Sequence, residues 1–487
     1  MITPVPGTAP ATPDAPDAEP APPPERPLPP TPWTWRAAIA AAVAAIGLTA
    51  YALHGSLHES ARYRFQAGAG ILCFLGIAAF FSKSLQSVRL KTLLWGIGLQ
   101  FLLAVAVIHS DYVREVFKAV GTGVKYLLLA SESGSKFVFG SLADREAMEK
   151  VFGKDHGFVF AFVALPPIIF VSAFFSVLYY LGVLQLFVRL MARLMMYLMG
   201  TSGAETLSVS ANVFMGQTEA PLIVKPFVPR MTRSELLALM GSGMAHISGG
   251  MMAVYISYGA DPVAILSTCV MACPCSLYLT KLILPEAGNP ATMGEAKVNV
   301  ETPYVNVIDA AAAGVKDGLW LALNVAAMLI GFLAFIALFN IILGGIKPLV
   351  LDAGIASERL TWWPDDLNLE KIFGWVFAPV AFLLGVDPAE TGKVGSLLGI
   401  KLAANEHVAY ITLTKNPDFT ILSKRSQDLA VYALTGFANF ASIGIQLGGI
   451  GSIAPGRRHD LAKLGMKALF VGFLTTLINA AVAGLLM

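Results

Sequence analysis

The sequence has few charged residues, which make up 14% of its 487 residues. A soluble globular chain carries about 25%. The shortage extends over most of the chain, so it predicts a membrane protein with many spans rather than a soluble domain with one anchor. Lysine plus arginine number 34 and aspartate plus glutamate 32. No excess of positive charge therefore favours binding to nucleic acid.

Cysteines are also few: Cys73, Cys269, Cys273 and Cys275. All lie in apolar stretches, which favours buried small side chains over a disulfide framework. The triplet Cys273-Pro274-Cys275 also occurs in heavy-metal pumping ATPases, but the phosphorylation segment and the soluble ATP-binding insert of those pumps are missing here. We interpret the triplet as packing residues at a proline-bent helix.

The N-terminal residues 1–32 are rich in Pro, Ala and Thr and have almost no large apolar residue. This composition predicts a disordered tail. An ordinary signal peptide would begin with a short basic stretch followed directly by an apolar run, so we expect the first span, in segment 33–55, to be retained.

Apolar runs long enough to span a membrane recur along the chain. We place them at 33–53, 66–82, 92–109, 158–182, 235–258, 262–284, 318–345, 401–414, 427–447 and 463–487. Three weaker segments, 111–130, 185–199 and 305–317, are predicted to be amphipathic helices at the interface. The loop 82–92 holds three cations and no acid, which predicts that this loop and the N-terminal tail are cytoplasmic.

Two stretches, 201–230 and 371–400, are short apolar pieces interrupted by Gly and Pro, and each precedes a span. Irregular backbone at membrane depth is tolerated only where it is buried or lines a cavity. A pair of such segments in corresponding positions is a pointer to a transporter's binding site. We therefore divide the membrane part into a scaffold, 66–200, and two transport halves, 201–345 and 371–487.

The first interrupted segment carries Gly-Gln-Thr-Glu-Ala-Pro at 216–221. A glycine followed by three polar side chains at a hairpin tip presents donors and acceptors to a cavity, and Pro221 and Pro226 prevent one continuous helix. The alternative is an aqueous loop with Glu219 as an ordinary solvated acid. The many flanking apolar residues favour the cavity.

A second polar group, Asn405-Glu406-His407, is embedded in apolar sequence. An ionised carboxylate in hydrocarbon costs at least about 2.5 kcal/mol. Glu406 is therefore expected to face a polar cavity or a partner. The alternative partner is a nearby lysine such as Lys401.

A third group lies within Gly436–Gly444. Asn439 and Ser442 are three residues apart and share a face of a helix. Phe437 joins that face only if the helix is opened there. Asn and Ser also hydrogen-bond between membrane helices, so this segment alone leaves a site and helix packing equally open.

The three motifs together resemble the concentrative nucleoside transporters. They are Gly-Gln-Thr-Glu-Ala-Pro at 216–221, Asn-Glu-His-Val-Ala-Tyr at 405–410, where the family usually has Asn-Glu-Phe, and Gly-Phe-Ala-Asn-Phe-Ala-Ser-Ile-Gly-Ile at 436–445. Supporting stretches begin at Asn306, Leu321 and Gly448. The similarity runs from about residue 66 to the C-terminus, and the span 33–53 resembles an added N-terminal helix.

The resemblance implies an all-α inverted-repeat fold and a homotrimer in which each subunit holds its own site between two re-entrant hairpins and two broken helices. It also implies roles for matching positions. Gln217, Thr218 and Glu219 would read the nucleobase. Phe437 would pack on the base, and Met251 replaces a smaller apolar residue near it. The residues implied for the ribose hydroxyls are Glu406, Asn439 and Ser442.

The resemblance further implies a coupling ion. Asn212 and the carbonyl-donating positions Met215 and Ile247 match the sodium site of the family, whereas the hydroxyl position matches His246. Imidazole is a poor ligand for a hard cation, and histidine titrates near neutral pH. Three alternatives are open. The protein couples to protons, or it couples to sodium through an altered site in which Ser248 supplies a substitute oxygen. In the third, sodium binds and His246 is only a packed neutral residue.

These features predict cation-coupled import of nucleosides across the inner membrane. A membrane enzyme with Glu219 and Glu406 as acid and base is not expected, because the sequence has no nucleotide-binding loop, metal-ligand cluster or nucleophile motif. No cofactor is expected beyond the coupling ion. Transport of another small polar solute is the alternative, although an anion would require a lysine or arginine in the site.

Overall fold

The computed structural model describes residues 23–153, 159–294, 304–352, 364 and 367–487. Residues 1–22 of the predicted disordered tail lie outside the described residues. The α-helices are α1 Trp33–His54, α2 Glu59–Phe80, α3 Leu90–His109, α4 Asp111–Phe139, α5 Arg145–Phe152, α6 Phe160–Val163, α7 Leu165–Tyr180, α8 Val183–Met199, α9 Gly203–Ala211, α10 Ala220–Ile223, α11 Arg233–Ala245, α12 Gly249–Ser257, α13 Pro262–Ile283, α14 Val307–Asp352, α15 Leu369–Leu383, α16 Thr391–Ala403, α17 Glu406–Lys415, α18 Pro417–Thr420, α19 Lys424–Leu434, α20 Phe440–Ile453 and α21 Arg458–Leu486.

Most of the predicted spans are confirmed. Within the described ranges, 8 helical segments are long and apolar enough to cross a membrane. Two predicted spans differ. The run 401–414 is divided between α16 and α17, and 427–447 is divided between α19 and α20. Both contain polar residues that cap a new helix start, Asn405 and Asn439, and hydropathy alone does not register such a cap.

Of the three predicted interfacial segments, two form separate helices. Segment 111–130 lies within α4 and 185–199 within α8. The third, 305–317, is instead continuous with the following span in the 46-residue helix α14. Its alanine-rich sequence favours uninterrupted helix.

The first hairpin is formed by α9 and the chain that returns through α10. Ser202 caps α9 with a reciprocal capping box, and its hydroxyl donates to Glu235 Oε1 (2.5 Å) at the start of α11. The start of α9 and the start of α11 are therefore in contact, so the chain between them forms a hairpin. Pro221, Pro226 and Pro229 lie in the returning arm, where they prevent a regular long helix.

The second hairpin is formed by α16 and α17, which meet at Ala404–Asn405. Its open end is tied together, because Lys393 donates to the carbonyl of Asp418 (2.8 Å). The predicted interruption at 371–400 is therefore displaced: its first part is α15, which packs against α16, and the second hairpin continues to Lys415.

Each hairpin is followed by a broken helix and then a long helix. The first broken helix is α11–α12, interrupted at 246–248, and the second is α19–α20, interrupted at 435–439. Phe437 N donates to His246 O (3.0 Å), which joins the two breaks. Gly436 has φ +152°, and a Cβ there would lie 3.0 Å from Ala245 O, so this close crossing requires glycine. The architecture is an inverted repeat of hairpin, broken helix and long helix.

The remaining helices surround this repeat. Helix α14 packs mainly along α7, and the approach at Gly314 is so close that a Cβ there would lie 2.5 Å from Ala173 Cα. Helices α2 and α3 pack against α21 and α13, and α1 packs on α2. The grouping of 66–200 as one scaffold stays a prediction.

Candidate functional site

One cavity of about 420 Å³ lies where the two hairpins and the two helix breaks converge. It is lined by every residue that the sequence analysis assigned to substrate: Gln217, Thr218, Glu219, Met251, Glu406, Phe437, Asn439 and Ser442. Residues more than 200 positions apart in the chain thus face a common space, and both carboxylates, Glu219 and Glu406, belong to it.

The tip of the first hairpin presents its polar groups to this cavity. Glu219 Oε2 accepts a hydrogen bond from Gly216 N (3.1 Å), which orients the carboxylate. Gln217 Nε2 donates to Ser442 Oγ (3.2 Å) across the two repeats. Gln217 Oε1 is buried and has no hydrogen-bond partner among the described residues. The geometry supports the cavity interpretation over an aqueous loop.

Glu406 begins the second arm of the second hairpin and is only 4% exposed. Its Oε1 accepts from the Tyr255 hydroxyl (2.9 Å) and its Oε2 from Asn439 Nδ2 (3.0 Å). The alternative partner Lys401 instead donates to Ala433 O (2.8 Å) and Thr476 Oγ1 (2.9 Å). The carboxylate is therefore held by neutral donors and faces the cavity.

The break between α19 and α20 explains why the third motif contributes three residues to one site. Asn439 has extended backbone and caps α20, with its side chain accepting from Ser442 N (2.9 Å). The same side chain donates to Glu406, so it uses both its acceptor and its donor. Because the helix is opened here, Phe437 reaches the cavity together with Asn439 and Ser442.

Asn212 and His246, two of the residues assigned to the coupling ion, are buried and do not line the main cavity. Asn212 Nδ2 donates to Ser242 Oγ (2.8 Å), while its buried Oδ1 has no hydrogen-bond partner among the described residues. His246 contacts Ser242 O through Nδ1 (2.7 Å) and Cys273 Sγ through Nε2 (3.4 Å). Its ring is thus engaged on both sides, and Asn212 Oδ1 is a free oxygen of the kind that a hard cation prefers.

The other three residues assigned to the coupling ion lie in different surroundings. Met215 lines an adjoining cavity of about 230 Å³, which shares Glu219 and Ser248 with the main one. Ile247 is fully buried. Ser248 caps α12 by accepting from Met251 N (3.4 Å). The cysteines are free and buried, and the described residues include no group of three or more His, Cys, Asp or Glu suited to a metal ion.

Several lining residues were not predicted from the sequence. Asp317, Trp320 and Asn324 form one wall of the main cavity from α14, and His407 also lines it. Asp317 and Asn324 are seven positions apart, a spacing that places both on one face of the helix and is a sequence signal for a polar face. Tyr255, which lies behind Glu406, had no such signal.

The charge of the cavity restricts its ligand. Its described lining includes three carboxylates, Glu219, Asp317 and Glu406, and no lysine or arginine. A polar, uncharged ligand with several hydroxyl or amide groups can satisfy such donors and acceptors, whereas an anion would be repelled. Fold and site thus define a membrane transporter with a central polar binding pocket between opposed hairpins.

Comparisons with known proteins give the same class. Family profiles described as Na+ dependent nucleoside transporter N-terminus, nucleoside recognition, and Na+ dependent nucleoside transporter C-terminus match residues 69–142, 161–262 and 264–484. An uncharacterized transporter of Haemophilus influenzae is 38% identical over 85% of this chain and 96% of its own length. Sodium/nucleoside cotransporter 1 of Mus musculus is 39% identical. The similarity covers 86% of this chain and 63% of the length of that relative.

Solved structures agree with the sequence relatives. The structure of CNTnw in an inward-facing substrate-bound state has a TM-score of 0.79 and 35% identity, covering 87% of this chain and 98% of CNTnw. A CNTnw variant in an outward-facing state also gives a TM-score of 0.79, with 35% identity, 87% of this chain and 97% of the variant covered. The chain belongs to the concentrative nucleoside transporter family, a family of transporters rather than enzymes.

Proposed function

We propose that this protein is a symporter that imports nucleosides across the inner membrane, driven by a sodium or proton gradient, with its N-terminal tail in the cytoplasm. The observation that carries the proposal is that Glu219 and Glu406, which belong to opposed hairpins, line one cavity. Its size suits a small polar ligand, since ligand pockets fall at about 300–1,000 Å³.

The roles proposed for the lining residues follow from their chemistry. Gln217, Thr218 and Glu219 offer both donors and acceptors to the edge of a nucleobase. Phe437 supplies an apolar face for the base, and Met251 narrows the space beside it. Glu406, Asn439 and Ser442 are proposed to bind the ribose hydroxyls. Loss of one such partner is expected to cost about 1–3 kcal/mol.

For the coupling ion we propose two routes. The free oxygen of Asn212, with the main-chain carbonyls of Met215 and Ile247, supports sodium, and Ser248 is proposed as the substitute for a missing hydroxyl ligand. His246 supports protons, because its imidazole can accept a proton and is a poor ligand for a hard cation. The sodium coupling stated in the names of the mammalian relatives belongs to those proteins.

We further propose a homotrimer embedded in lipid. The outward side chains of α14, such as Ile330, Phe335 and Ile341, are large, apolar and exposed in the single chain. Such a surface is stable only against lipid or another subunit.

Uptake of radiolabelled uridine by cells that lack their own nucleoside carriers tests the function. Glu219→Gln and Glu406→Gln should abolish uptake at unchanged expression. Glu132→Gln is the matched control, because that carboxylate lies on α4 and its side chain is 54% exposed. If the wild type takes up another small polar solute but no uridine, the result would instead support the alternative substrate.

The ion is tested in the same cells. Uptake driven by an imposed pH gradient in sodium-free medium supports proton coupling. Strict dependence on sodium rejects it and supports the altered sodium site.

A further inference from the structure

Tyr255 lies directly behind the candidate substrate site without lining its cavity. It belongs to α12, the second half of the first broken helix, and is fully buried. Its hydroxyl donates to Glu406 Oε1 at 2.9 Å. A residue of the first repeat therefore sets the position of a carboxylate that the second hairpin carries.

The hydroxyl of Tyr255 completes the restraint on Glu406. One carboxylate oxygen accepts from Tyr255 and the other from Asn439 Nδ2 (3.0 Å). With both oxygens held, the carboxylate plane cannot rotate freely, yet each oxygen keeps capacity for a further hydrogen bond. A carboxylate held in this way can accept from two neighbouring hydroxyls at once.

The ring of Tyr255 is held independently of its hydroxyl. It stacks on Tyr410 with ring centroids 4.1 Å apart and an interplanar angle of 13°. Tyr410 is itself fixed to the second helix break, because its hydroxyl lies 2.7 Å from Thr435 Oγ1 and donates to Val431 O (3.1 Å). Removing only the Tyr255 hydroxyl should therefore leave the ring in place and release one side of Glu406.

We propose that Tyr255 is a positioning residue that orients Glu406 to receive the two neighbouring hydroxyls of a ribose, and that it thereby sets the preference for ribonucleosides over nucleosides without these hydroxyls. The inference rests on the proposed function. It assigns to Tyr255 an effect on sugar selectivity rather than on binding of the base.

The test is Tyr255→Phe in the full chain, with uptake kinetics measured for uridine, 2′-deoxyuridine and 2′,3′-dideoxyuridine. The kcat/KM for uridine should fall at least about tenfold, as for loss of a hydrogen bond to a charged group. The kcat/KM for dideoxyuridine should fall less than about twofold, because that sugar has no hydroxyl for Glu406 to accept from. The fall in kcat/KM for 2′-deoxyuridine should lie between these two values.

Tyr432→Phe is the matched control. That tyrosine is also buried, and its hydroxyl accepts from Ser267 Oγ (2.8 Å), away from the cavity. The ratio of uridine to dideoxyuridine efficiency should not change in this variant. An equal loss for all three substrates in Tyr255→Phe, or no loss for any, would overturn the inference and leave Tyr255 as a packing residue.

Ligand-induced thermal stabilisation of the purified protein gives a readout that does not depend on the amount in the membrane. Uridine should stabilise Tyr255→Phe less than wild type, and dideoxyuridine should stabilise both equally. Failure of the wild type to take up any nucleoside would refute the proposed function itself. Normal uridine uptake by the wild type with unaltered sugar selectivity in Tyr255→Phe refutes only the inference.

Discussion

Asn439→Asp separates the two tasks of one side chain. The wild-type amide accepts from Ser442 N at 2.9 Å, which caps α20, and donates to Glu406 Oε2 at 3.0 Å. Aspartate caps a helix as well as asparagine does. It cannot donate when ionised, however, so the substitution should keep the local fold and remove only the bond to Glu406.

The magnitude follows from the chemistry of the lost bond. A hydrogen bond to a charged group contributes about 1.5–3 kcal/mol. Since each 1.4 kcal/mol is about a tenfold change, the efficiency of uridine uptake should fall about 10- to 100-fold. Two carboxylates about 3 Å apart also repel each other, which adds to the loss while both are ionised.

The assay is uridine uptake normalised to the protein present in the membrane, together with the thermal unfolding midpoint of the purified protein. Asn368→Asp is the matched control, because Asn368 caps α15 by accepting from Lys371 N (2.8 Å) and lies outside the cavity. Uptake by Asn439→Asp within twofold of wild type, at a normal midpoint, would refute the assignment of Asn439 to the site.

Two further predictions concern the ion and the packing of the second hairpin. His246→Ser should make uridine uptake more dependent on sodium, because it replaces the imidazole with a hydroxyl, an oxygen ligand of the kind that a hard cation prefers. Uptake in sodium and in choline media at one pH measures this, and unchanged sodium dependence contradicts it. Gly399→Ala should lower the thermal midpoint, since its Cβ would lie 2.2 Å from Phe373 Cγ and overpacking costs about 1–3 kcal/mol. Gly392→Ala, in the same helix with nothing within 4 Å, should not lower it, and equal midpoints would contradict the packing argument.

The sequence was sufficient for the class of protein and most of its spans. Burial in lipid demands long apolar helices, so hydropathy along the chain reports them directly. The positions of the site motifs could also be predicted. Ionisable side chains such as Glu219 and Glu406 are costly at membrane depth, so their presence there indicates a functional position.

The limits of the second hairpin could not be predicted in the same way. Its second arm, α17, is apolar enough to resemble a span, and tertiary contacts such as that of Lys393 with Asp418 show that the chain turns back. The position of Phe437 in the cavity likewise depends on the break between α19 and α20, which the local sequence pattern does not predict.

The sequence by itself determined that this is a membrane transporter with polar groups at three points of an apolar chain, because the energetic cost of such groups is local and can be read residue by residue. Only the tertiary structure decided which partners they have: Tyr255 rather than Lys401 beside Glu406, Cys273 beside His246, and α14 as a wall of the cavity. These contacts join segments far apart in the chain, and their geometry depends on how helices cross rather than on any local pattern.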